Sequence, residues 1–102
     1  MMTPTTTVRP FTFAIIELPS YKVLRTLPER FVRCSEENGE PILEHLFEVA
    51  EILCEPRGIK IVSVLEILTH GEVYYTHSVH IDGRDGFLAA WLSRSGGPGG
   101  GR

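Results

Sequence analysis

Three residues near the middle of the chain have side chains that could do chemistry together: Glu66, Tyr75 and His77. They lie in two β-rich runs, Ile59 to Thr69 (IKIVSVLEILT) and Glu72 to Asp82 (EVYYTHSVHID), joined by His70-Gly71. An x-Gly pair between two such runs predicts a two-residue hairpin loop, with Gly71 at positive φ. That loop places Thr69 opposite Glu72 and fixes every other pair. One face then carries Val62, Val64, Glu66 and Leu68 opposite Val79, His77, Tyr75 and Val73. Facing Cβ atoms sit about 4.5–5.5 Å apart, and diagonal neighbours about 7–8 Å, within reach of long side chains. A carboxylate, a phenol and an imidazole on an apolar wall can bind a cation or a hydroxyl-bearing ligand, or exchange a proton. The same groups can also close on one another as a satisfied core network.

Other chemistry is poorly supplied. His77 and His80 point to opposite faces of a strand, because their spacing is odd. His70 and His80 are separated by about 33 Å of extended chain. The histidines therefore do not converge as metal ligands must, and no metal site is expected. Cys34 and Cys54 lack metal or redox spacing and read as reduced, partly buried thiols. Asp82-Gly83-Arg84-Asp85-Gly86 lacks the alternating carboxylates of a calcium loop. There is no nucleophile elbow, P-loop or dinucleotide fingerprint, so no cofactor is expected and catalysis ranks below binding.

The elements that must position these residues follow from periodicity. Phe11 to Leu18 (FTFAIIEL), between Pro10 and Pro19, reads as a strand buried on both faces. Tyr21 to Arg25 reads as a short returning strand. Thr26-Leu27-Pro28-Glu29 fits a capping box, with Leu27, Phe31 and Cys34 on one face and Asn38-Gly39 as a stop, so a short helix is expected there. Pro41 to Cys54 is the clearest helix, with an apolar stripe of Leu43, Leu46, Phe47, Ala50, Leu53 and Cys54. Gly86 to Arg94 reads as a terminal helix. The order β-(β)-α-α-β-β-α predicts an α+β fold: a mostly antiparallel sheet of 3–4 strands with two or three helices packed on it.

Residues 10–94 are read as a single domain, with 1–9 a flexible lead and 95–102 a flexible Gly-rich tail. The 102 residues and 42 % hydrophobic content suit one ordinary domain. The net charge of -3 gives no field for nucleic acid, and no apolar run is long enough to span a membrane. Met1 to Thr7 shows no secretory pattern, so a cytoplasmic location is expected. The charge is unevenly spread. Seven acidic residues and no Lys or Arg fall between Glu36 and Glu55, whereas Lys22 to Arg33 holds four basic residues against Glu29.

The leading expectation is a non-catalytic binding domain that holds a small apolar or cationic ligand against the sheet. Glu66, Tyr75 and His77 would line its pocket, with Trp91 and Phe47 as walls. The alternative is an interaction or inhibitor module in which the helix from Pro41 to Cys54 presents Glu44, Glu48 and Glu51 to a basic partner. The second face of the hairpin is semi-apolar, which suggests a homodimer.

Overall fold

β-Branched and aromatic residues recur along the chain outside one amphipathic stretch, and the computed structural model, which describes residues 6–93, is correspondingly rich in strand. The strands are β1 (Thr6–Glu17), β2 (Lys22–Ser35), β3 (Lys60–Ile61), β4 (Glu66–His70), β5 (Glu72–Ile81) and β6 (Arg84–Leu92). The one α-helix among the described residues is α1 (Leu43–Cys54). All pairings are antiparallel, in the order β2-β1-β6-β5-β3, with β4 also on β5. The expected sheet of 3–4 strands carrying two or three helices is therefore corrected to a six-stranded antiparallel sheet with a single short helix.

Two segments read as helices are strands, and each has a physical reason. The run from Thr26 to Gly39 shows no alternation because β2 is bulged. Phe11 pairs with Arg30 but Phe13 pairs with Leu27, so Pro28 and Glu29 together oppose Thr12. The extra residue inverts the inward phase, and Leu27 faces the core with Val32 and Cys34 rather than with odd-numbered neighbours. Proline is acceptable there because β2 is an edge strand and Pro28 sits in the bulge. The segment from Gly86 hides its period differently. β6 lies between β1 and β5 and is covered on both faces, so Phe87 to Leu92 is apolar throughout. Gly86 sits close under Ile15: a Cβ there would lie 3.2 Å from Ile15 Cγ2, so that side chain would have to give by a few tenths of an ångström.

Helix α1 packs across one sheet face. Its buried residues are Leu46, Val49, Ala50, Leu53 and Cys54, joined by Phe11, Phe13, Ile15, Leu88 and Val79 from the strands. Its start is tied to β2 through backbone atoms of Arg33. The Ile42 N–H donates to the Arg33 carbonyl at 2.8 Å, and the Arg33 N–H donates to His45 Nδ1 at 2.9 Å. Gly58, at φ 71°, ends the turn that follows the helix.

The other sheet face has its own small cluster: Ala14, Ile16 and Ala89, all buried. Leu18 and Tyr21 from the β1–β2 turn pack on it, with Tyr74, Phe87 and Trp91. An aromatic chain runs across this face. Tyr21 stacks on His70 at 4.1 Å, Tyr21 meets Tyr74 edge-on at 5.4 Å, and Tyr74 meets Trp91 at 5.2 Å. Small residues below and large rings above bury the centre of this face without a second helix layer.

Strand β1 starts at Thr6, so Thr6 to Arg9, expected in the flexible lead, are paired with β2. The expected Gly-rich tail, 95–102, and residues 1–5 lie outside the described residues. No helix among the described residues is long and apolar enough to cross a membrane.

Candidate functional site

The hairpin register decides what the candidate residues can do. His70 pairs with Glu72 across a one-residue connection, Gly71 at φ 76°. Glu66 consequently faces Thr76, where a two-residue loop would set it against Tyr75. A slip of one residue moves every side chain of the strand to the opposite face. Glu66 lies exposed on the face of Tyr74 and Thr76, while Tyr75 and His77 lie on the helix face. The Thr76 hydroxyl donates to the Glu66 carbonyl oxygen at 3.1 Å.

The run from Ile59 to Thr69 is also not one strand. Ile61 faces Val79 and Glu66 faces Thr76, so Val62 to Leu65 oppose only His77 and Ser78. Ser63 ties this irregular stretch down. Its hydroxyl accepts the Ser78 N–H at 2.6 Å, and its carbonyl oxygen lies 3.0 Å from His77 Nδ1. A carbonyl can only accept, so His77 must carry a proton on Nδ1, and in the neutral ring Nε2 is then the lone pair. Nε2 is buried and has no hydrogen-bond partner among the described residues. His77 as a residue is 5 % exposed, and its ring centre lies 5.5 Å from that of Phe47.

The five expected ligand residues thus divide into four places. Phe47 and His77 meet under the start of α1. Tyr75 packs against Phe11, ring centres 6.4 Å apart, and lines a separate cleft of about 510 Å³ with Arg9 and Glu40. Burial raises its phenol pKa, and the Glu40 and Cys34 charges push the same way. Trp91 belongs to the aromatic chain on the far face, and Glu66 is exposed on β4. The other histidines are engaged apart from one another: His70 stacks on Tyr21, and His80 Nδ1 lies 3.3 Å from the Asp85 carboxylate.

The three expected partner residues do share a surface. Glu44, Glu48 and Glu51 are exposed on α1, followed by exposed Glu55. No Lys or Arg forms an ion pair with any of these four among the described residues. Interleaved with them are apolar side chains that a helix would ordinarily bury. Leu43 and Phe47 are exposed on the helix, Ile52 is 52 % exposed, and Val64 on the facing segment is 82 % exposed. Two grooves meet at Phe47. One, of about 410 Å³, runs between Leu43, Phe47 and Val64 with Glu44 and His77 beside it. The other, of about 630 Å³, is lined by Glu48, Glu51, Ile52 and Glu55 on the helix and by Lys60 and Ile61 on β3. Together they form an acidic, apolar seam along the outer flank of α1.

Leu43, Ile52 and Val64 were not among the expected site residues. Leu43 and Phe47 fit the 3/4 stripe, but Val49 completes a narrower one centred on Ala50 and turns both to the margin. The signal for Val64 is Ser63, a small polar residue that breaks the strand beneath it.

No protein-family model matches this chain, and no curated protein or solved structure does either.

Proposed function

We propose that this domain is a protein-interaction module whose α1 seam binds a basic, amphipathic polypeptide segment. The observation that carries this reading is the interleaving of exposed Leu43, Phe47, Ile52 and Val64 with the carboxylates of Glu44, Glu48, Glu51 and Glu55, none of which forms an ion pair among the described residues. The arrangement works against the stability of the helix itself. Glu44 and Glu48, and Glu51 and Glu55, are four residues apart, and each like-charged pair costs about 0.2–0.5 kcal/mol. Glu51 lies near the negative end of the helix dipole, where the last turn of α1 carries no basic residue. A cationic partner relieves both terms, and its apolar side covers the exposed leucine, phenylalanine and valine.

Fluorescence anisotropy tests this with a Lys/Arg-rich amphipathic helical peptide and a scrambled peptide of the same charge. The amphipathic peptide binds, more weakly as salt rises, and binding is lost in E48K/E51K and reduced about tenfold in F47A. Equal binding of the scrambled peptide, or binding that survives E48K/E51K, removes the reading.

A second reading rests on His77. Its buried Nε2 lone pair beside Phe47 suits a small apolar ligand that bears one hydrogen-bond donor, with Glu44 at the rim favouring a cationic one. Benzylamine is a suitable probe: it should shift the His77 Nε2 resonance in the wild type and not in F47A. No shift at saturating probe discards the small-ligand reading.

A further inference from the structure

The chain carries, on a different element, a surface with the opposite chemistry to the seam. Strand β2 exposes Lys22, Arg25, Arg30 and Arg33, with Glu29 its lone acidic residue. By the register with β1, Arg25 and Arg30 lie on the helix face of the sheet, and the strand exposes Val23 and Phe31, the last at 59 %, on its other face, with Leu24 at the irregularity between Val23 and Arg25. Residues 40–42 cover the far end of this strand, where Pro41 bridges Cys34 and Ile42 binds Arg33. The stretch from Lys22 to Phe31 has no strand on its outer side among the described residues. Pro28 and its bulge interrupt the edge and disfavour addition of a further strand, so this ridge must be engaged through its side chains.

We propose that the basic β2 ridge of one copy docks in the acidic α1 seam of a second copy, giving head-to-tail self-association. The proposal rests on the seam being a docking site for a basic amphipathic segment, and it names that segment. Because of the bulge, Arg25 and Arg30 lie opposite Ile15 and Phe11, about 13 Å apart along β1, which fits within the about 16 Å of helix from Glu44 to Glu55. Each surface combines like charges with exposed apolar groups, and the two are complementary in sign. Within one molecule no β2 cation pairs with an α1 carboxylate among the described residues. Ridge and seam are distinct surfaces, so each docked pair leaves one of each free. Association therefore continues beyond two copies unless the geometry closes a ring.

Sedimentation velocity tests this with the wild type, a seam variant (E48Q/E51Q) and a ridge variant (R25Q/R30Q). All four positions are exposed, so the substitutions leave the core alone. The average mass of the wild type rises with concentration at low salt and falls back at high salt. Each variant alone stays monomeric. An equimolar mixture of the two stops at a heterodimer, because it holds one intact seam and one intact ridge. A wild type that remains monomeric at low salt, variants that associate like the wild type, or a mixture that stays monomeric overturns the proposal. The amphipathic peptide separates this failure from failure of the seam reading. If R25Q/R30Q still binds the peptide while the wild type is monomeric, only self-association is overturned. If the peptide does not bind and E48Q/E51Q associates like the wild type, both are.

Discussion

His77 Nδ1 lies 3.0 Å from the carbonyl oxygen of Ser63, across the one stretch where the outer strand leaves the sheet. This bond sets the tautomer of the imidazole. Long-range 1H–15N NMR correlations should show His77 with a protonated Nδ1 and a bare Nε2. The opposite tautomer would break the link between Ser63 and the groove floor. Ser63→Ala should leave the tautomer unchanged, because the acceptor is the backbone carbonyl, but it should loosen the segment by removing the acceptor for the Ser78 N–H. A loss of about 1 kcal/mol in chemical unfolding is expected.

The one-residue connection at Gly71 places Glu66 and Tyr75 on opposite faces. E66Q should change stability by less than about 0.5 kcal/mol, as exposed substitutions usually do. E66Q and Y75F should then be additive in a double-mutant cycle. A coupling above about 1 kcal/mol would place them in one network and refute the register.

The acidic flank of α1 predicts a trade between stability and binding. Glu51→Lys removes repulsion from Glu48 and Glu55 and places a cation near the end of the helix. It should stabilise the protein by about 0.5–1 kcal/mol in urea unfolding. The same substitution should weaken binding of the basic peptide. Loss of stability in E51K would show that Glu51 has a structural role.

Burial pushes the Cys54 thiol up to about 11, against a smaller opposing effect of Arg57. In the unfolded chain the thiol ionises in its ordinary range. Between those values the unfolded state has released its proton and the folded state has not, so stability falls as pH rises. Its contribution is fully present below the ordinary thiol range and is lost as the pH climbs to about 11. Unfolding midpoints measured from neutral pH upward should decline less steeply in C54A than in the wild type. Identical slopes would mean that Cys54 is not the titrating group.

Much of the helix was legible because its period stands alone. Leu46, Ala50, Leu53 and Cys54 recur at helical spacing, and Pro56 and Gly58 mark its end. The strand from Phe11 was legible from its β-branched and aromatic content. Two strands were not. Pro28 and Glu29 insert a phase change that no fixed period can follow, and Thr26 to Glu29 spells a helix cap without forming one. β6 has no polar face because the β1–β2 turn lays Leu18 and Tyr21 over the side that would otherwise meet water. The acidic residues of the seam could be read directly, since charge on a helix flank needs no register. The grouping of Glu66, Tyr75 and His77 needed the loop length at Gly71, and a single residue there separates them.

The position of β6 has a consequence for how the chain assembles. This strand is made of residues 84–92, yet it lies in the middle of the sheet and joins the β1–β2 hairpin to the β4–β5 hairpin. A growing chain therefore exposes two incomplete half-sheets, each with a bare apolar edge, until β6 emerges. Phe11 must then find Leu92 across nearly the whole described sequence. Order of synthesis and order of assembly are uncoupled, and folding should be slow for a protein of this size. During that interval β1 and β5 are the edges at greatest risk of pairing with the wrong neighbour.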